Sequence, residues 1–387
     1  MIRKTFFLLF MFSLLTGCAS TNLPPITSRE YQPLPDEKRI WSVAEEEEQR
    51  LAESEIIFEN QELTTYLNQV AMKVFPEEAK KKIDVEVFII KNPYLNAFAY
   101  PNGKVYVHTG LLARLENEAQ LATVLGHEMA HVTQRHMVRE QRSTRNKAAG
   151  LASFNATFGA LPLVGELSSV LGSLGTMAAV YGYSKGLETE ADNIGFEWMV
   201  ASGYDPMESP KVFEHMKAEM EEEEFEEPFF FGSHPKLEDR RANFQSFLDS
   251  GEFKQGGEIN QETYEKMVAP AIYETADLDL KAGRFSRAEK GIQRYLKTYP
   301  RSCRAHFLLG EVYRQRNEEG DYKKAIEYLN KASKLNRKYA ESYRSLGLIY
   351  MNLEDKKAAR NAFHAYLDRA PKAEDRGFIQ DYMRRLK

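Results

Sequence analysis

Between Ile83 and Ile90 the apolar positions alternate, with Val85, Val87 and Ile89 on one side, which is the period of a β-strand. The next stretch, NAFAYPNGKVYVH, sets two β-prone runs on either side of Asn102-Gly103, a pair that supplies the positive backbone angles of a tight hairpin turn. Around this small sheet the pattern is helical. Leu51, Ile56, Phe58, Leu63, Leu67 and Val70 recur on helical faces over residues 41–75, and the glutamate run Glu45 to Glu48 reads as a solvated helix start. Asn117 with Gln120 three residues on forms a capping box. Leu121, Val124 and Leu125 then begin the buried face of a helix that contains LGHEMAHVTQRH.

Past residue 250 the composition shifts, and GEFKQGGEINQ reads as a linker. Beyond it the chain repeats itself: Leu309-Gly310 with Tyr313 returns as Leu346-Gly347 with Tyr350. Ala288 with Pro300, Ala325, and Ala359 with Pro371 supply the second-helix alanines and closing prolines. These spacings resemble tetratricopeptide repeats, with an insertion around Glu318-Glu319-Gly320 and a degenerate first copy that has Thr275-Ala276 in place of Leu-Gly. Stacked helix pairs of this kind present a concave surface that takes peptide or protein.

The opposite end is simpler. Arg3 and Lys4 precede an apolar run from Phe6 to Leu15, followed by Leu15-Thr16-Gly17-Cys18, which resembles a bacterial lipobox; the resemblance implies a lipid anchor on Cys18. Ala19 after the cysteine favours the outer membrane over the inner one by similarity to sorted lipoproteins. Residues 148–184 carry a single charge, Glu166, with Asn155, Pro162 and several glycines, and read as a packed helical hairpin or lid in preference to membrane passes. The chain thus divides into a signal peptide (1–17), a flexible tether (18–40), a body (41–250), a linker (251–268) and a repeat domain (269–387).

Charge and cysteine content narrow the chemistry. With 57 acidic residues against 52 basic ones and no basic stripe with interleaved aromatics, the footprint for nucleic acid is missing. Only Cys18 and Cys303 are present, which excludes a cysteine metal cluster and, with Cys18 acylated, an intramolecular disulfide.

What remains is the histidine segment. At 100° per residue His127 and His131 project from one helix face, one turn apart, so their imidazoles can converge on one ion. Glu128 beside them can receive a proton from a metal-activated water without being a ligand. His136, five residues beyond His131, is rotated by about 500° and is expected at the surface or behind the ligands. A third ligand must be His, Glu or Asp. GLETEADNIGFEWM offers Glu188, Glu190 and Asp192, of which Glu188 and Asp192 share a face; spacing leaves open which of them ligates.

HEMAH followed by Glu188-Thr189-Glu190-Ala191-Asp192 resembles the HExxH plus ExxAD pair of the zinc metallopeptidases that include HtpX and the CAAX prenyl protease. NAFAYPNGKVYVHTGLL, and Ser233-His234-Pro235 with Arg240, are similar to further motifs of that family, and the repeats point to its BepA-like branch. The resemblance implies an α+β fold: a mainly helical zincin-type domain with a small sheet, followed by an α-helical tetratricopeptide solenoid. It implies one Zn2+ per chain held by His127, His131 and Glu188, with Glu128 as general base and Asp192 behind a ligand. It also implies that His234 can sit at the metal and hold the enzyme shut. Arg240 matches a family arginine that could serve the oxyanion or a structural ion pair. Asn96 to Tyr100 is the expected edge for an extended substrate, with Phe98 and Tyr100 as core. Acidic residues 221–227 before Pro228-Phe229-Phe230-Phe231 read as a solvated run that could screen the cleft. The expected protein is an exported, lipid-anchored endopeptidase on the periplasmic side of the outer membrane. It would act on misassembled envelope or outer-membrane proteins, its repeats recruiting substrate or the outer-membrane assembly machinery. A chaperone-like adaptor with a latent metal site is the alternative.

Overall fold

The computed structural model describes residues 20–146, 171–178, 182–223, 237–251, 253 and 255–386. Helix α1 (Pro35–Ala52), α2 (Gln61–Val74) and the single turn α3 (Glu77–Lys80) lead into a three-stranded sheet of β1 (Glu86–Ile90), β2 (Ala97–Ala99) and β3 (Lys104–His108). The sheet order is β1-β3-β2, with β3 parallel to β1 and antiparallel to β2. The hairpin forms as expected, but by another turn. Asn102 stays out of the left-handed region and Gly103 alone takes a positive φ of 97°, with the Gly103 amide donating to the Tyr100 carbonyl at 3.0 Å. A Cβ at Gly103 would come within 2.6 Å of the Asp84 carbonyl oxygen, so glycine is required on both counts.

After the short α4 (Thr109–Arg114) comes α5 (Glu118–Thr133), in which every residue is buried. A helix buried on every side belongs at the centre of a domain. The Asn117 side chain caps it, accepting from the Gln120 amide at 3.0 Å, while Gln120 Oε1 reaches back to the Glu116 amide at 2.8 Å, one residue short of the expected box. Packed against or following α5 are α6 (His136–Asn146), α7 (Ser173–Thr176), α8 (Lys185–Ala201), α9 (Ser209–Glu223) and α10 (Leu237–Asp249). Among the described residues no helix is long and apolar enough to cross a membrane.

Two expectations about the N-terminal part need correcting. Residues expected to form a flexible tether up to position 40 are packed. Ile26 is buried and its amide donates to the Thr133 carbonyl at 2.7 Å, Arg135 donates to the Pro24 carbonyl at 3.1 Å, and α1 already begins at Pro35. Helix capping by Glu37, whose carboxylate accepts from the Leu34 amide at 3.1 Å, and the burial of Ile26 outweigh the chain entropy that a proline-rich composition suggests. Glu47 is the second. It lies at 1% exposure, where its carboxylate accepts from the Tyr100 hydroxyl at 3.0 Å and from the Leu174 and Gly175 amides at the start of α7 at 3.0 and 2.8 Å. Only Glu45 and Glu46 of that run are exposed.

The repeats follow as helices α11 (Gln261–Lys281), α12 (Phe285–Thr298), α13 (Cys303–Arg316), α14 (Asp321–Leu335), α15 (Ala340–Asn352), α16 (Lys356–Arg369) and α17 (Arg376–Arg385). Close approach within each pair explains the recurring small residues. A Cβ on Gly310 would lie 2.7 Å from Leu329, and one on Gly347 would lie 2.4 Å from Phe363. In the degenerate first copy the glycine has moved to the second helix, where Gly291 faces Ala276. The boundary drawn at residue 268 cuts through α11. Tyr264, Val268, Ala271 and Ile272 belong to the core of the first domain, whereas Ala276 and Leu280 belong to the core of the repeats. The Tyr264 hydroxyl donates to the Leu112 carbonyl at 2.8 Å. One helix serving two cores ties the domains together.

Candidate metal centre

Two helices must meet closely for the chemistry-bearing residues to converge, and two glycines let them. A Cβ on Gly126 of α5 would stand 2.7 Å from the Gly195 carbonyl oxygen of α8, and one on Gly195 would stand 2.6 Å from the His127 amide nitrogen. This backbone contact carries His127 and His131 on one side and Glu188 on the other. His127 Nε2 and His131 Nε2 are 2.9 Å apart, and the Glu188 carboxylate oxygens lie 3.5 Å from each of them. Their ligand atoms all fall within 4.8 Å of one another, and all three side chains are buried. Tetrahedral bonds of about 2.0–2.1 Å put ligand atoms about 3.3 Å apart, so the three fit one small divalent cation with a fourth position left over. Two imidazoles and a carboxylate suit zinc. Glu128, at 1% exposure, sits in the same helical turn.

Behind each imidazole stands a partner for its other nitrogen. Asp192 Oδ1 is 2.9 Å from His127 Nδ1. Asp192 is in turn gripped by Arg240, whose Nε lies 2.9 Å from Oδ2 and whose Nη2 lies 2.5 Å from Oδ1. Of the two roles the sequence left open for Arg240, the geometry is that of the buried ion pair, with the guanidinium 4.7 Å over the Phe213 ring. Burial pushes the Asp192 carboxyl up, but Arg240 and His127 outweigh it and hold its pKa low. Burial and the Arg240 charge pull His127 down; hydrogen bonds to Asp192 and Glu188 reverse this and raise it to about 9. A cation entering the site therefore displaces a proton.

His136 is fully buried, with its Nδ1 2.8 Å from His131 Nδ1. The surface alternative is excluded because the helix does not continue. Arg135 adopts a left-handed φ of 60°, α5 stops at Thr133, and the chain re-enters as α6 at His136, pointing back at His131. His136 Nε2 faces Glu190 Oε2 at 3.5 Å, and Glu190 is held by Arg139 Nη1 at 2.9 Å. Burial lowers the His136 pKa, which favours the neutral ring, able to accept a hydrogen bond from His131 Nδ1–H. Replacing His136 with Phe should weaken zinc affinity about 10–100-fold, the range for loss of a partner behind a ligand, as read by chelator competition.

Glu188 is thus brought within 3.5 Å of both imidazoles and Asp192 behind His127, while Glu190 faces His136 instead. His234 and residues 224–236, with the phenylalanine run and the part of the acidic run beyond Glu223, lie outside the described residues, as does Cys18. Phe98 and Tyr100 are core, and β2 is an edge of the sheet packed near α5. Sequence reasoning passed over Tyr183, which stacks on the His131 imidazole with ring centroids 4.1 Å apart and planes 20° apart. It also passed over Gly126 and Gly195. Isolated glycines inside helical patterns were the available signal for the latter.

The model for peptidase family M48 matches residues 59–247, and tetratricopeptide-repeat models match residues 273–332, 314–353 and 340–372. Mitochondrial metalloendopeptidase OMA1 of Schizosaccharomyces pombe is 30% identical over 239 residues, covering 59% of this chain and 69% of that protein. The chain belongs to peptidase family M48. The beta-barrel assembly-enhancing protease of Escherichia coli strain K12 is 35% identical over 159 residues, covering 40% of this chain and 32% of that protein. The match to that relative thus spans about a third of its length.

Proposed function

We propose that the protein is a zinc-dependent endopeptidase of the bacterial cell envelope that hydrolyses peptide bonds of misassembled envelope or outer-membrane proteins. The observation that carries this reading is the convergence of His127, His131 and Glu188 with Glu128 in the same turn. The names of the relatives favour it, since they are a metalloendopeptidase and a protease that enhances β-barrel assembly. When bound, the cation would supply a Lewis acid toward water and a peptide carbonyl. Asp192 and His136 hold the two imidazoles in the tautomer that turns Nε2 inward. Glu128 takes the proton of the attacking water and returns it to the leaving amine. The outer edge of β2 offers backbone hydrogen bonds to an extended substrate, a grip that ignores side-chain identity. His234 would occupy the fourth position at rest.

Localisation rests on the N-terminal sequence. With Cys18 lipidated, the protein would sit against the membrane without a long tether, because the Ser20 carbonyl already accepts from Arg142 of α6 at 2.8 Å. The repeats would recruit substrate or the assembly machinery.

Metal analysis of the purified chain tests the reading. The native protein should carry about one zinc and the His127→Ala variant close to none, since three protein ligands define such a site. Equal metal in both would remove the basis for a hydrolase.

A further inference from the structure

Helix α12 has a basic face that the metal site does not use. Arg287, Lys290, Arg294 and Lys297 follow at intervals of three, four and three, so all four fall on one side, opposite Ala288 and Ile292 in the repeat core. That side lines a cavity of about 660 Å³ at the seam between the domains, closed by the end of α4, by His215 of α9 and by the start of α11.

Several of the lining side chains are fixed by contacts within the protein. Arg294 is structural: it pairs with Glu265 at 2.9 Å and donates to the Ala113 and Leu115 carbonyls at 2.6 and 2.8 Å, which fastens α12 to the end of α4. Arg114, also in the lining, lies 3.5 Å from Asp279, a fully buried carboxylate that Arg284 contacts at 2.8 Å. The lining therefore sets five cations against Glu116 and Glu265, with the buried Asp279 behind Arg114 and Arg287, in a chain whose net charge is -5. Among the described residues no Phe, Tyr or Trp lines it, so the row of stacking rings that single-stranded nucleic acid uses is missing there.

We propose that this seam cavity docks an acidic segment of the polypeptide substrate, with carboxylates facing the exposed Lys290 and Lys297. From residue 290 to 297 the helix rises about 10 Å, which an extended chain covers in about three residues at about 3.3 Å each. Cationic side chains along one helix face match the alternating carboxylates of such a chain by charge-assisted hydrogen bonds. The floor of the cavity is the 113–116 connection into α5, the helix that bears His127. A segment held here thereby touches the connection into the helix that carries the metal centre.

Calling the ligand a substrate rests on the peptidase reading; the docking does not, and it is measured on full-length protein carrying Glu128→Gln. Fluorescein-labelled hexaglutamate should bind saturably by anisotropy, weaken with added salt, and lose at least about tenfold in affinity, roughly 1.4 kcal/mol, in the variant Lys290→Glu with Lys297→Glu. Hexaglutamine should not bind. Both lysines are exposed, so the fold should hold; if melting shows otherwise, Lys290→Gln with Lys297→Gln takes its place. Equal binding by native and variant chains, absence of saturable binding, or binding of phosphatidylglycerol vesicles but not of hexaglutamate would each overturn the proposal.

Discussion

Glu128→Gln should lower the rate of peptide cleavage by about 10²–10⁴-fold, the usual contribution of a positioned general base, while zinc content stays at the native level. In free-energy terms the barrier rises by about 3–5 kcal/mol. The substitution keeps the volume of the side chain and removes only its ability to take a proton. Glu128 is buried in the same turn as His127 but is not among the three converging ligands, so the metal should be held by His127, His131 and Glu188 as before. Single-turnover cleavage of an unfolded protein, run beside metal analysis of the same sample, separates the two effects. Loss of cleavage with metal retained assigns the proton transfer to Glu128. If the variant also loses its metal, the carboxylate is a ligand and the site needs redrawing. A variant that neither cleaves nor fails to complement a deletion strain would favour the adaptor, in which the repeats alone matter.

The parts of this site legible in the sequence were those fixed by local periodicity. Helical spacing put His127 and His131 together and Glu188 on a face with Asp192, and the repeat pattern located the helix pairs of the C-terminal domain. What escaped depends on contacts made far along the chain. His136 reaches His131 because Arg135 takes a left-handed conformation, and nothing near Arg135 asks for one. Its guanidinium is buried against Glu37, 98 residues away in sequence, with nitrogen to oxygen distances of 2.6 and 3.0 Å. That buried pair, together with the Pro24 carbonyl, offsets a backbone strain of about 1–2 kcal/mol. The same contact explains why the proline-rich N-terminal segment is docked. Glu47 was misread for the related reason that composition cannot tell which glutamate of a run turns inward. The split of α11 between two cores was hidden because its helical pattern continues smoothly across the domain boundary.

Gly195→Ala gives the sharpest test of the packing that builds the centre, because two effects of the same methyl group have opposite signs. Within a helix, Ala is favoured over Gly by about 0.5–1 kcal/mol, so at an open position the variant would be more stable. At residue 195 the new Cβ would meet the His127 amide nitrogen at 2.6 Å and the Gly126 carbonyl carbon at 2.7 Å. Those are backbone atoms of a fully buried helix, which cannot turn aside as a flexible side chain would. The helices must separate, at a cost of about 1–3 kcal/mol for overpacking, and the variant should melt below the native protein. Separation also carries Glu188 away from the imidazoles, which now lie 3.5 Å from its oxygens, so zinc affinity should fall by about tenfold or more, as when a metal ligand loses its support. Gly186, near the start of the same helix, has nothing within 4 Å of its Cβ position and serves as the control: Gly186→Ala should leave affinity unchanged. A Gly195→Ala protein with raised stability and native zinc affinity would mean that the two helices do not touch there, and the convergence of residues 127, 131 and 188 would need another cause.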